Sequence, residues 1–306
     1  MRGKRPILAV LALAVVGASL GAGAVASVAA SSPSPVASSS PSPVASPSPA
    51  ATWRPPTPTA AATWPLVPAT AAGPAPGFKV LVPVLMYHRV APPGEVGRSL
   101  PELVVAPEVF AAQLGTLVAA GWRSITAAQL AADLAAGVRP PPRTFVITFD
   151  DGRRDGYTVA FPILRQLGLV ATFYVITGRI GAATSLTPAQ LRRLAAAGME
   201  IGSHTVDHLR LSSAPRWIAA YQMARSAMEI AAATGRRPTT FAYPFGSLDA
   251  VGPGLLRDMG YAMAFTEVDG CSMTWPTRLA APRVRVSATT SPAKLLRDLE
   301  ACVGGG

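Results

Sequence analysis

From residue 78 onward, short apolar runs alternate with longer stretches in which apolar residues recur every three or four positions. The runs Val80–Tyr87, Thr144–Phe149, Ala171–Ile176, Met199–Ser203, Thr240–Tyr243, Ala262–Thr266 and Arg283–Val286 predict seven strands. Between them stand helix starts. Thr126 with Gln129, and Thr187 with Gln190, have capping-box spacing, the second with Pro188 at the first helical position. Ser291-Pro292 opens a last helix in a similar way, and Pro215–Thr234 predicts a long one that stops at Gly235. Seven strands separated by helices imply an α/β fold with a mostly parallel sheet, open and doubly wound or closed as a barrel. Both arrangements gather function at the C-terminal ends of strands, so reactive residue types should stand just after them.

Before residue 78 the pattern is different. Arg2, Lys4 and Arg5 precede an apolar run from Ile7 to about Ala30, the layout of a secretory signal. Ala24-Val25-Ala26 and Val28-Ala29-Ala30 offer small-residue cleavage patterns, and cleavage is favoured over retention as a signal-anchor because the run is rich in Ala and Gly. Either outcome places the rest of the chain outside the cytoplasm, secreted or tethered at the cell surface. Membrane contact would come only through an uncleaved N-terminal segment. Residues 31–77 hold thirteen of the 31 prolines and a single charged side chain, Arg54. Such a segment cannot bury enough apolar surface to fold, and it reads as a disordered, semi-rigid spacer. Three parts follow: a signal over 1–30, a linker over 31–77, and one folded domain over 78–306.

Composition adds two constraints. The net charge is +11, but four of the 27 basic residues precede residue 78 and all 16 acidic ones follow it, leaving +7 on the folded part. Its Lys and Arg stand singly or in pairs, which argues against a phosphate-tracking, nucleic-acid-binding surface. Cys271 and Cys302 are the only cysteines. Without Cys-x-x-Cys spacing they are poor zinc ligands, and in an oxidising compartment they are candidates for a disulfide.

The chemistry falls where the topology asks for it. Thr144–Phe149 runs into Asp150-Asp151-Gly152, two adjacent carboxylates whose mutual repulsion a metal ion would remove. Met199–Ser203 runs into His204, with His208 four residues on, a spacing that puts both imidazoles on one face of a helical turn. With one Asp these make a His-His-Asp facial set. The third histidine, His88, follows the first strand in Met86-Tyr87-His88-Arg89; spacing alone leaves it open between a structural and a catalytic part. Phe241-Ala242-Tyr243-Pro244-Phe245-Gly246 forms an aromatic rim after a fourth strand, suited to line a sugar site or to close a core.

Thr148-Phe149-Asp150-Asp151-Gly152, His204 to His208 and Tyr243-Pro244-Phe245-Gly246 resemble the first three motifs of the polysaccharide deacetylases, carbohydrate esterase family 4. The resemblance runs over roughly Val80 to Val286. It implies a distorted (β/α) barrel and metal-dependent removal of N-acetyl groups from amino sugars. Carried over by position, Asp151, His204 and His208 would hold a divalent ion, zinc being expected, and Asp150 would be the general base. Phe245 matches an aromatic position whose backbone N–H helps stabilise the oxyanion, and Tyr243 stands beside it as a substrate-binding or base-orienting candidate.

Two departures matter. Ala242 stands where the family's third motif has a base-orienting Arg, and no histidine follows His208. Both resemble the branch that deacetylates poly-β-1,6-N-acetylglucosamine, where an early Met-Tyr-His segment supplies the acid. On that likeness His88 is the proton donor, and Arg283 orients Asp150 or binds sugar. Arg285 competes for the role, since alternation along a strand puts both on the same face. The expected partner is thus an N-acetylated polysaccharide. Peptidoglycan or a chitin-like polymer is the alternative substrate, and a non-catalytic carbohydrate-binding domain is a third reading that the intact Asp pair and ligand histidines disfavour.

Overall fold

The computed structural model describes residues 73–92 and 101–304. The signal and most of the Pro-rich spacer expected before residue 78 lie outside the described residues. Among the described residues no helix is long and apolar enough to cross a membrane.

Seven parallel strands close on themselves. In chain order they are β1 (Val84–Tyr87), β2 (Thr144–Phe149), β3 (Thr172–Val175), β4 (Glu200–Ser203), β5 (Thr240–Ala242), β6 (Met263–Asp269) and β7 (Ala281–Arg285). Around the barrel each strand neighbours the next in chain order, and β1 closes the ring between β7 and β2. Every residue of β1, β2 and β3 is buried, as expected of parallel strands covered on both faces. Helices α1 (Pro107–Ala119), α2 (Ala127–Ala136), α3 (Phe161–Gln166), α4 (Pro188–Ala196), α5 (Arg216–Thr234), α6 (Gly252–Asp258) and α7 (Pro292–Gly304) complete the domain.

Alternation along the strands divides the core in two. Val84, Val146, Tyr174, Ala242, Met263, Phe265 and Ala281 form the lumen cluster, joined by Ala127, Leu130, Ala131 and Leu134 of α2. Leu85, Tyr87, Phe145, Ile147, Phe149 and Phe173 face outward against the helices, α1 and α7 included. Helix α2 closes the barrel at the end where its strands begin. Its first N–H groups donate there, Ala127 to Thr172 Oγ1 at 3.0 Å and Ala128 to Glu200 Oε2 at 2.8 Å.

Three local expectations are corrected. The run Val80–Tyr87 is not one strand. It breaks at Pro83, which has no N–H to give a ladder; Lys79–Leu81 pairs antiparallel with Ser272–Thr274 and only Val84–Tyr87 enters the barrel. Arg123–Ile125, too short to signal itself, lies parallel to the first half of β2, while β3 takes the second half from Thr148. That wedge is the barrel's distortion. The capping box is complete at Thr187 and Gln190 but half-formed at Thr126, because Gln129 turns away to Asp133 and Glu200 covers the helix start instead.

Candidate active site

The strands' C-terminal ends bring five of the expected residues together, and the parity of each strand decides how. Asp150 continues the lumen-facing positions Val146 and Thr148 of β2. It sits fully inside, with 1% of its surface exposed, against Arg283 of β7, which is wholly buried. The guanidinium holds it at both oxygens, Nη1 to Oδ1 at 2.8 Å and Nη2 to Oδ2 at 2.7 Å. Nε of Arg283 donates to the Thr266 carbonyl at 2.9 Å, and Nη1 also reaches Thr148 Oγ1 at 3.1 Å. Burial pushes the Asp150 carboxyl up, but the Arg283 charge and its hydrogen bonds outweigh this and hold it well below the usual carboxylate range.

Asp151 parts from its neighbour because the backbone turns. Its φ is 73° and that of Gly152 is 62°, two successive left-handed residues that aim the second carboxylate elsewhere. A Cβ at Gly152 would stand 3.0 Å from Val175, so glycine suits the turn twice over. Asp151 Oδ1 lies 3.4 Å from His208 Nε2 and 3.9 Å from His204 Nε2. All three ligand atoms fall within 4.8 Å of one another.

The two histidines do not share a helical turn, contrary to expectation. Residues after β4 form a loop in which Thr205 and His208 both have positive φ, 67° and 59°, and the rings still approach to 4.9 Å. Two contacts that sequence reasoning missed hold this loop. Gln222 of α5 accepts from the Val206 and Asp207 N–H groups and donates to Asp207 Oδ2, and Thr205 Oγ1 accepts from the His208 N–H. Their only sequence signal was a polar residue, Gln222, on a buried helix face.

His204 Nδ1 lies 2.7 Å from the Ala242 carbonyl, which can only accept. Nδ1 therefore carries the hydrogen and Nε2 presents its lone pair to the cluster, the usual outer-shell arrangement of a ligating histidine. Burial and then the neighbouring His204 push the His208 imidazole down to about 4, so it too offers a lone pair at neutral pH. Two imidazole nitrogens and one carboxylate oxygen at these separations fit a divalent cation, whose tetrahedral ligands stand about 3.4 Å apart.

Ala242 explains the missing arginine of the third motif. Its small side chain lies in the lumen and its carbonyl holds His204, while the guanidinium that meets Asp150 comes from Arg283 on β7. Arg285, two residues on, stands at the rim and pairs with Glu267 instead. Tyr243 does not join the site. It is buried against Phe241, and its hydroxyl donates to the Leu279 carbonyl at 3.0 Å. Phe245 does reach the mouth: φ is 59°, the ring is half exposed, and it packs 4.4 Å from His208 with the Arg210 guanidinium 4.7 Å from it.

His88 continues the lumen-facing series Val84 and Met86. Burial lowers its pKa, Asp150 and Asp151 act to raise it, and Arg283 and His204 act to lower it.

A family model described as polysaccharide deacetylase matches residues 137–264, a stretch that contains the Asp pair, His204 and His208 but neither His88 nor Arg283. YxkH of Bacillus subtilis, which carries the polysaccharide deacetylase name, is 31% identical over 206 residues, 67% of this chain and 71% of that protein. Among solved structures, the Streptococcus pyogenes deacetylase PplD in complex with acetate superposes with a TM-score of 0.67 at 27% identity. The superposition covers 71% of this chain and 97% of that one. IcaB from Ammonifex degensii gives 0.63 at 26%, covering 73% and 98%.

Proposed function

This chain belongs to the polysaccharide deacetylase family, hydrolases of N-acetyl amides on polysaccharides, and on that premise we propose that it deacetylates poly-β-1,6-N-acetylglucosamine outside the cytoplasm with a divalent metal. The observation that carries the reading is the Asp150–Arg283 pair beside the Asp151, His204 and His208 cluster, with His88 at the same barrel mouth. An orienting arginine from the last strand together with an early Met-Tyr-His segment is the combination that resembles the β-1,6 branch.

Asp151 Oδ1, His204 Nε2 and His208 Nε2 would hold the ion, zinc suiting two imidazoles and a carboxylate, and when bound it supplies Lewis acidity toward the amide carbonyl and water. The remaining steps belong to side chains. Asp150 accepts the proton of the attacking water, and Arg283 keeps that carboxylate ionised and aimed. The backbone N–H of Phe245 donates to the oxyanion as the carbonyl carbon becomes tetrahedral. His88 gives a proton to the amine nitrogen as the C–N bond breaks, so acetate and a free amino sugar leave. The PplD structure is a complex with acetate, the acid that this reaction would release.

Export rests on the N-terminal charge and apolar pattern, with residues 1–30 as signal and 31–77 as spacer. Cys271 and Cys302 are bonded, a pairing that persists in oxidising compartments and supports the same placement.

The test is acetate release from β-1,6-linked N-acetylglucosamine oligomers, chitin oligomers and peptidoglycan, with and without chelator. Release from the first, abolished by chelator and restored by zinc, is the expected result. Release only from chitin or peptidoglycan would move the substrate, and none from any polymer would leave a binding domain. Asp150→Asn should lower the rate about 10²–10⁴-fold. Its urea unfolding curve is read alongside, since a buried guanidinium left unpaired costs about 3–5 kcal/mol.

A further inference from the structure

His88 is placed without a hydrogen bond of its own. Among the described residues neither ring nitrogen has a hydrogen-bond partner, whereas His204 is anchored to the Ala242 carbonyl. The backbone on either side of His88 is tied down. On the barrel side, the Tyr87 carbonyl accepts from the Asp150 N–H at 3.0 Å, tying the end of β1 to the end of β2. On the other side, Arg89 and Val90 pair with Val104 and Val105, and both residues reach Asp155.

That second tie is charged and partly buried. Arg89 Nε donates to Asp155 Oδ2 at 2.8 Å and Nη2 stands 2.7 Å from the same oxygen, while the Val90 N–H reaches Oδ1 at 3.4 Å. Asp155 is 9% exposed. It follows Asp151 by four residues, on a loop fixed by Leu186 N–H to the Gly152 carbonyl at 3.0 Å and Arg154 N–H to the Thr184 carbonyl at 2.9 Å. The loop that carries a metal-ligand candidate therefore also grips the residue immediately after His88. A buried carboxylate is expensive to keep unless it does something that a neutral group would not, and here it spans two segments 65 residues apart.

We propose that Asp155, acting through its ion pair with Arg89, is the positioning residue that fixes the His88 imidazole at the site. The role rests on reading His88 as the proton donor. Neither Asp155 nor Arg89 is placed to touch the reacting atoms; they set the ring's distance and angle, which a proton transfer tolerates poorly when loose.

Two measurements on the full chain decide it. In acetate release, Asp155→Asn and Arg89→Ala should each lower kcat about 10- to 100-fold with KM within about twofold, and Arg89→Lys should recover part of the loss. On a His88→Gln background the same changes should cost nothing further, because the residue they position is gone. A full additional loss on that background would overturn the proposal and leave Asp155 a general stabiliser. The second measurement needs no activity. The chain has three histidines, so ring NMR signals of isotopically labelled histidine are assignable with His88→Gln. Asp155→Asn should shift and broaden the His88 signal while those of His204 and His208 stay in place; an unmoved His88 signal would also overturn it. If His88→Gln keeps the normal rate, the proton-donor reading falls, and the NMR result still decides whether Asp155 holds the ring. Should Asp155→Asn fail to fold, Arg89→Ala breaks the same pair from its more exposed side.

Discussion

Asp150 and Asp151 are neighbours that do opposite things, because left-handed backbone at Asp151 and Gly152 separates their side chains. One carboxylate meets a buried arginine and the other meets two imidazoles. The pH dependence follows from their surroundings. Arg283 holds Asp150 well below the ordinary carboxylate range, so the proposed base is ionised at neutral pH. Burial lowers His88 below the ordinary histidine value of about 6.5, and a proton donor works only in its protonated form. The sign is therefore fixed: kcat/KM should fall as pH rises through the His88 pKa, and His88→Gln should flatten that limb in a pH–rate profile. A limb that survives the substitution would assign it to another group. How far residues were readable depended on strand parity. Asp150 and His204 were legible because reactive types stood one step beyond apolar runs, whereas Arg283, inside the last strand, was reached only through the family likeness and in competition with Arg285. Tyr243 misled for the same reason, standing in a recognisable segment but turned toward Leu279, and nothing in one sequence reports that turn. Gln222, Arg89 and Asp155 were illegible, since their partners lie 15 to 66 residues away.

At the scale of the element, β4 shows how a strand positions a ligand by what it lacks. Its lumen-facing series is Glu200, Gly202 and His204. The middle position is a glycine because Tyr174 of β3 lies across it: a Cβ on Gly202 would stand 2.3 Å from Tyr174 Cε1 and 3.1 Å from Thr240 Oγ1. The Tyr174 hydroxyl donates to Thr240, and Thr240 donates in turn to Glu200, the carboxylate that caps α2. Burial pushes Glu200 up while these donors pull it down. Gly202→Ala should therefore displace a fully buried tyrosine and its chain of hydrogen bonds, and lower stability by about 1–3 kcal/mol in urea unfolding. An unchanged midpoint would mean that Tyr174 yields freely. The helical pattern and the apolar runs gave away the element order, seven barrel strands included. They could not reveal Arg123–Ile125, because three residues without alternation carry no period, nor the break at Pro83 inside a continuous apolar run.

For the whole molecule, the barrel closes through hydrogen bonds, but its last helix is held in two ways. Leu295 and Leu299 of α7 pack into the outer core that also contains Phe110, Leu114 and Leu117 of α1, and Cys302 near its end is bonded to Cys271. Cys271 follows β6 after Gly270 and directly precedes Ser272–Thr274, the strand that pairs with Lys79–Leu81. The disulfide thus joins the C-terminal helix to the antiparallel pair through which the described chain enters β1. It encloses 31 residues of sequence separation, for which restriction of the unfolded chain contributes about 3–4 kcal/mol. Asp150, Asp151, His204 and His208 are held by contacts that do not involve this link. Reduction, or Cys271→Ser with Cys302→Ser, should accordingly lower the unfolding free energy by that amount, and with it the urea midpoint, while leaving kcat and KM of the folded protein unchanged. A parallel loss of activity in the folded state would show that the link reaches the site through β7, which lies between β6 and β1 and carries Arg283. An unchanged midpoint would show that α7 is held by its apolar face alone, and would remove the stability argument for an oxidising compartment.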